Sequence, residues 1–299
     1  MKNFYNEIKE EFINCEVYKK VKDYSKNKKE LDTYYNVGKL LIEAQGGEER
    51  AKYGNKLIKE YSLKLTEELG KGFNNSALKR MRQFYLTIQK GATLSHQLTW
   101  SHYVEILKIN DSNKINYYIA ITINENLSVR ELRERIKNNE YDRLDNNTKN
   151  KLITKEETTI TDFIKNPIII KTNGRKISNE KILKMIILEN LDIFLKELGP
   201  SFSYIGNEYR IKIGNNYNYI DLLLFNIEFN SYVVIELKTT KLKKEHLGQI
   251  QVYMNYIDKN LKKAHHNKTI GIIICKYDNK FLIEYCSDSR VFTTKYIES

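Results

Sequence analysis

The stretch that most constrains this chain is residues 219–238, YIDLLLFNIEFNSYVVIELK. It holds two apolar runs of strand length separated by four residues, and such runs bounded by turn residues read as buried strands. Yet Asp221 lies against the first run, and Glu236 and Lys238 lie in and beside the second. An ionised carboxylate taken alone into an apolar interior is strongly disfavoured or shifts its pKa until it is neutral. The three charges must therefore neutralise one another or face a ligand that compensates them. Side chains alternate along a strand, so Val234, Glu236 and Lys238 share one face while Val233, Ile235 and Leu237 share the other. The short gap between the runs predicts an antiparallel hairpin, which would bring Asp221 beside Glu236 on one side of a sheet.

Two neighbouring carboxylates repel, and one of their pKa values rises unless a cation sits between them. Mg²⁺ suits such a site, with Mn²⁺ as the alternative, because it takes one or two carboxylates and completes its shell with water and substrate phosphate. Lys238, two residues from Glu236, would point to the same cleft, where an ammonium can stabilise charge developing on the attacking water or the scissile phosphate. This chemistry is phosphodiester hydrolysis by a metal-activated water. The bland reading makes Asp221 a strand end at the surface and Glu236–Lys238 a rim ion pair. A lone E-x-K is usually that; here the charges sit against apolar runs in the right order and separation, which weakens it.

Charge points the same way. Lys and Arg total 50 against 38 Asp and Glu, a net of +12 over 299 residues, which favours an anionic partner: nucleic acid first, DNA ahead of RNA, and a membrane surface second. The excess is local, because residues 51–100 hold nine basic and three acidic residues whereas 1–50 hold ten of each. Three- and four-residue apolar spacing reads residues 1–144 as helices. Gly46-Gly47 and Gly70-Lys71-Gly72 end two of them, and Ser128 to Glu131 is a capping box opening another. In ALKRMRQFYLTIQK after Asn75-Ser76, Leu78, Met81, Tyr85 and Ile88 form one stripe. The other side shows Lys79, Arg80, Arg82 and Gln83, the first three being candidate phosphate contacts. Short helices with one basic helix suggest a helix-turn-helix-like domain; a plain helical bundle with basic faces fits the periodicity equally, and assembly into a homo-oligomer through this domain is a further expectation.

Residues 145–165, polar and unpatterned, read as a linker. Beyond them, 166–299 predicts a helix at about 178–198, strands at about 202–213, 219–226 and 231–238, a helix at about 245–260 and a strand at 269–275. That order suits an α/β domain with a mixed sheet flanked by helices. Cys15, Cys275 and Cys286 have neither disulfide nor zinc-site spacing and suit a reducing compartment. With no signal-peptide core at the N-terminus and no apolar span, the expected location is cytoplasmic. His96 and His102 flank Trp100 at a spacing that suits no helical face, which favours packing and turn hydrogen bonds over a metal site. His265-His266 read as loop residues.

Asp221, a fifteen-residue gap, then Glu236-Leu237-Lys238 resembles the PD-(D/E)XK nuclease superfamily. The resemblance implies that Asp221 and Glu236 ligate the metal, that Leu237 offers its backbone carbonyl and that Lys238 assists the water. Gln249 and Tyr253 resemble the Q-x-x-x-Y element that contacts substrate in some branches. With AQGGEERAKYG, GKGFNNSALKRMRQFY, LSHQLTWSHY, LSVRELRERI, FLKELG and TIGIIIC, nearly the whole chain resembles the bacterial YhcG-like family, which joins a helical domain of unassigned role to a PD-(D/E)XK domain. One position departs: the acidic residue of the helix before the sheet falls on Lys184, leaving Glu180 or Glu189 as substitutes. The expected activity is a Mg²⁺-dependent DNA endonuclease. The alternatives are a catalytically silent nucleic-acid-binding or assembly factor that retains the fold, and an interaction protein in which the charge is incidental.

Overall fold

A computed structural model describes residues 4–20, 26–47, 55–279, 282 and 288–299. Part of the AQGGEERAKYG stretch and Cys286 lie outside the described residues. The chain divides into two compact units, residues 1–141 and 142–299.

The first unit is helical: α1 (Phe4–Lys20), α2 (Lys26–Ala44), α3 (Asn55–Leu69), α4 (Asn75–Gln89), α5 (Trp100–Ile106), α6 (Ser112–Asn124) and α7 (Val129–Lys137). Ile8, Phe12, Val37, Leu41, Ile58, Leu65, Leu78 and Met81 close one core between α1, α2, α3 and α4. Helix α4 starts where Asn74 accepts a hydrogen bond from the Ala77 amide at 2.9 Å, satisfying a donor that the first turn leaves open. It buries Leu78, Met81 and Phe84. The expected capping box is present, with Ser128 and Glu131 bonding each other's backbone amides at the start of α7. His102 does the same work at α5: its Nδ1 accepts from the Thr99 amide at 3.1 Å, and its Nε2 lies 3.1 Å from the Leu127 carbonyl. His96 pairs with Asp32 of α2, 64 residues away, so His102 serves a helix start and His96 a contact between the loop before α5 and α2.

Residues 145–165 are not an unpatterned connector. Asp145 caps α8 (Asn146–Thr154), and a short 3-10 turn follows at Ile160–Phe163. Asp162 gathers the polar side chains of this segment, accepting from the Thr159 amide at 2.7 Å, from Thr148 at 3.2 Å and from Lys151 at 2.9 Å. Ile160 enters the core of the second unit. The polarity that suggests a linker is thus an internal hydrogen-bond set around one carboxylate, and the segment belongs to the second unit.

That unit continues with β1 (Ile168–Ile170), α9 (Glu180–Glu189), α10 (Leu191–Leu198), β2 (Phe202–Ile213), β3 (Asn216–Asn226), β4 (Ser231–Lys241), α11 (Lys244–Asn260), β5 (Ile270–Tyr277) and β6 (Val291–Glu298). The helix expected over 178–198 breaks at Asn190, whose side chain bonds back to the Ile186 carbonyl. Among the described residues the strands form one six-stranded sheet ordered β1-β6-β5-β4-β3-β2. Strands β2, β3 and β4 are antiparallel, whereas β4, β5, β6 and β1 are parallel, giving the mixed sheet expected. Leu222, Leu224, Val233, Ile235, Leu237, Ile272 and Ile274 pack with α9 and α10. Leu223, Val234, Ile273 and Cys275 pack with Ile250, Met254 and Ile257 of α11. Burying each such side chain contributes roughly 1.5–3 kcal/mol before chain entropy is counted. Gly271 lets α11 lie close: a Cβ there would stand 2.5 Å from Met254 Sδ and 2.8 Å from Ile250 Cδ1. Cys15 and Cys275 are buried free thiols, and burial raises Cys275 to about 11. No helix among the described residues is long and apolar enough to cross a membrane.

Candidate active site

The hairpin of β3 and β4 has the expected register, with Leu222 opposite Ile235 and Leu223 opposite Val234. At Asp221 the carboxylate takes over from the ladder, because its Oδ2 accepts the Leu237 amide at 3.0 Å. Asp221 is thereby fixed against the Glu236-Leu237-Lys238 segment. Glu236 is 1% exposed. Its Oε2 accepts from Lys238 Nζ at 3.2 Å, while its Oε1 is buried with no hydrogen-bond partner. Burial first, and then the charge of Asp221, push Glu236 up to about 7 against the opposing pull of Lys238. A buried carboxylate oxygen without a partner is disfavoured. Asp221 and Glu236 together therefore present the acceptor chemistry that a hard divalent cation fits.

The departure at Lys184 acquires a geometry. From α9 its Nζ reaches Asp221 Oδ1 at 3.1 Å and Glu208 Oε1 at 3.0 Å. Burial acts to lower the Lys184 pKa, but hydrogen bonds to Glu208 and Asp221 outweigh it and raise it. Glu208 has φ 46, a left-handed conformation that a non-glycine residue rarely adopts within a strand. Sequence reasoning missed Glu208, and nothing in the run YIGNEYRI marks it. Both oxygens of Asp221 thus already accept a hydrogen bond, although each keeps lone-pair capacity. Glu189 is turned elsewhere and pairs with Arg175. Glu180 lies one turn before Lys184 on α9. Its charge is felt at His246 of α11, whose pKa is lowered by burial and then by Lys238. Among the described residues no group of three or more His, Cys, Asp and Glu side chains stands ready for a metal.

Gln249 Nε2 donates to Tyr253 Oη at 3.0 Å, as two residues one helical turn apart can. Tyr253 is otherwise buried in the α11 core. Of the three cations expected on α4, Lys79 and Arg80 are exposed. Arg82 is not displayed with them: it is half-buried, its Nε is buried without a partner, and burial lowers its pKa. At position 82 the helix turns back toward the apolar stripe of Leu78 and Met81.

Residues 161–297 match the YhcG PDDEXK nuclease domain and residues 3–143 match the DUF1016 N-terminal domain. The chain is 27% identical to "Putative nuclease YhcG" of Escherichia coli (strain K12), over 81% of this chain and 76% of that protein. Among solved structures, a repair endonuclease from Pyrococcus abyssi is 20% identical with a TM-score of 0.30, covering 41% of this chain and 48% of its own. The EndoMS-dsDNA2 complex is 18% identical with a TM-score of 0.29, covering 42% and 47%. The chain spans about half the length of each of these two structures. The two domain models account for all but a few segments of the sequence, so the chain joins a DUF1016 N-terminal domain to a YhcG PDDEXK nuclease domain.

Proposed function

We propose that the chain is a Mg²⁺-dependent endonuclease that hydrolyses phosphodiester bonds of DNA, with Asp221 and Glu236 as the carboxylates that hold the metal. The observation that carries this reading is Glu236 Oε1, buried, unpartnered and beside a second carboxylate. The backbone carbonyl of Leu237, water and substrate phosphate would complete the shell. A divalent cation held there would supply Lewis acidity at the scissile phosphate. Lys238, hydrogen-bonded to Glu236, is placed to stabilise charge that develops during attack. Gln249, anchored by Tyr253, contacts substrate from α11. Nicking of supercoiled plasmid in Mg²⁺, absent in EDTA, tests the reading; no nicking at any divalent-ion concentration overturns it.

A second reading, a silent factor that binds nucleic acid without cutting it, is favoured by Lys184, whose ammonium stands at Asp221. Lys184→Glu replaces a cation by a carboxylate within ion-pair distance of the site. It is expected to tighten Mn²⁺ binding at least about tenfold in calorimetric titration without substrate. If the wild type is silent for want of metal, this variant gains nicking; unchanged Mn²⁺ affinity removes Lys184 from the account.

For the helical unit we propose phosphate contacts by Lys79 and Arg80. Replacing both with Gln should weaken DNA binding and reduce the slope of log K against log salt by about 1–2. A variant with the wild-type slope would mean that this helix faces another partner, such as a second copy of the chain.

A further inference from the structure

Beyond Asp221, the β2–β3 hairpin carries a feature that neither the motif nor the α4 cations explain. Its register sets Tyr209 opposite Ile220, Arg210 opposite Tyr219, Ile211 opposite Asn218 and Lys212 opposite Tyr217. Directly paired residues share a side of a sheet. Ile211 and Ile220, with Tyr209 and Ile213 beside them, turn to the α11 core. The other side therefore displays Arg210, Lys212, Tyr217 and Tyr219 together, and all four are exposed. Tyr217 and Tyr219 are 55% and 54% exposed, large values for rings on a strand. The Arg210 guanidinium lies 5.0 Å from the Tyr217 ring centroid and Lys212 Nζ 5.9 Å from it, so both cations are held over one ring. Residues 209–220, YRIKIGNNYNYI, include no acidic residue. Among the described residues, strand β2 is an edge of the sheet and no other strand pairs with it from that side. Tyr219 is two residues from Asp221, and Glu208, next to Tyr209 on β2, shares the Lys184 ammonium with Asp221.

We infer that this face of the hairpin is a docking strip for an unpaired DNA strand, delivering it to the site at Asp221; the inference rests on the nuclease reading for what happens there. Cations pinned over an aromatic ring, next to a second exposed ring, combine the two elements that bind single strands: fixed positive charge for the backbone and π-faces on which bases stack. Spacing decides for an unpaired strand. Tyr217 and Tyr219 are about 7 Å apart along β3, at roughly 3.4 Å per residue. That is twice the 3.4 Å rise per nucleotide of a duplex strand, so the two rings match bases drawn apart rather than bases stacked on one another. Every base has a π-face, so the strip implies little sequence preference.

The test uses the full chain in EDTA, so that cleavage does not enter, and fluorescence anisotropy with a labelled 20-mer of thymidine, the matching uridine RNA, and a blunt 20-base-pair duplex. Tyr217→Ala/Tyr219→Ala is expected to lose at least about tenfold affinity for the DNA strand, with less than a twofold change on the duplex. Tyr217→Phe/Tyr219→Phe keeps both rings and should restore binding. Arg210→Gln/Lys212→Gln should weaken binding to the DNA strand and lower its salt slope by about 1–2. All four positions are exposed, and matching melting temperatures confirm that the variants fold. Wild-type affinity of the double Ala variant for the DNA strand overturns the strip, as does an equal loss on duplex; a loss confined to RNA overturns the DNA assignment. Loss of strand binding in a protein that never nicks plasmid retains the strip and sinks the nuclease reading, whereas unchanged binding in a protein that does nick has the opposite meaning.

Discussion

Asp221→Asn and Glu236→Gln are each expected to abolish Mg²⁺-dependent nicking while the chain remains folded. Both remove one of the two carboxylate charges proposed for the metal, and the carboxylate that remains is already ion-paired to a lysine, Asp221 to Lys184 or Glu236 to Lys238. The two variants should differ in stability. At Glu236 the amide can still accept from Lys238, and a buried carboxylate with one unpartnered oxygen disappears. Burial holds Glu236 up to about 7, so its ionisation at neutral pH opposes folding; the neutral amide escapes that cost, and Glu236→Gln should melt no lower than the wild type in metal-free buffer at neutral pH. At Asp221 both oxygens accept, one from Lys184 and one from the Leu237 amide. An asparagine must turn its NH₂ toward one of these donors, which leaves a donor facing a donor and costs about 1–3 kcal/mol. Nicking assays paired with thermal melts in EDTA check both halves. Wild-type cutting by either variant would sink the assignment of the metal carboxylates.

Lys238→Ala is expected to lower the single-turnover cleavage rate by about two to four orders of magnitude, typical of losing one preorganised charge or proton-transfer group. The loss should fall on turnover more than on DNA binding, because the ammonium acts on charge that appears only during attack. Metal affinity should rise slightly, since a cation leaves the neighbourhood of Glu236. Lys238→Arg should rescue poorly: the guanidinium is larger, spreads its charge and does not deprotonate. The rim-pair reading forecasts a stability change of at most about 1 kcal/mol and no catalytic effect. The structure already weighs against a rim, because Lys238 and Glu236 have side-chain exposures of only 12% and 2%. Normal cleavage by Lys238→Ala would return the pair to a structural role.

How far this was legible in the sequence differs from element to element. The β3–β4 hairpin could be read directly: two apolar runs with a short gap determine strands, pairing and register, because a one-residue slip would expose every buried side chain. The charges within those runs marked the site, since burial makes an unpaired charge conspicuous. The capping box at Ser128 was equally plain, because its chemistry closes within four residues. Strands β1 and β6 were missed. Residues 168–170 are only three apolar positions, and VFTTKYIE mixes threonine and lysine into its pattern; each becomes a strand by pairing with the other and β6 with β5. On α4, local period placed Leu78 and Met81 on the buried stripe but not Phe84, which is buried where Tyr85 and Ile88 are only partly so, nor the depth of Arg82; these depend on what packs beside the helix.

The sequence by itself determined that a helical half precedes a mixed α/β half, that Asp221, Glu236 and Lys238 converge, and that the chain carries an excess of positive charge. Tertiary structure alone decided that Lys184 and Glu208 join that convergence, that Glu189 does not, and that Arg210, Lys212, Tyr217 and Tyr219 share one open face. Lys184 and Asp221 are 37 residues apart, and their meeting depends on where α9 crosses the sheet. Periodicity reports which side of its own element a residue occupies; which charges come within 3 Å of one another is set by how separate elements pack, and no local pattern records it.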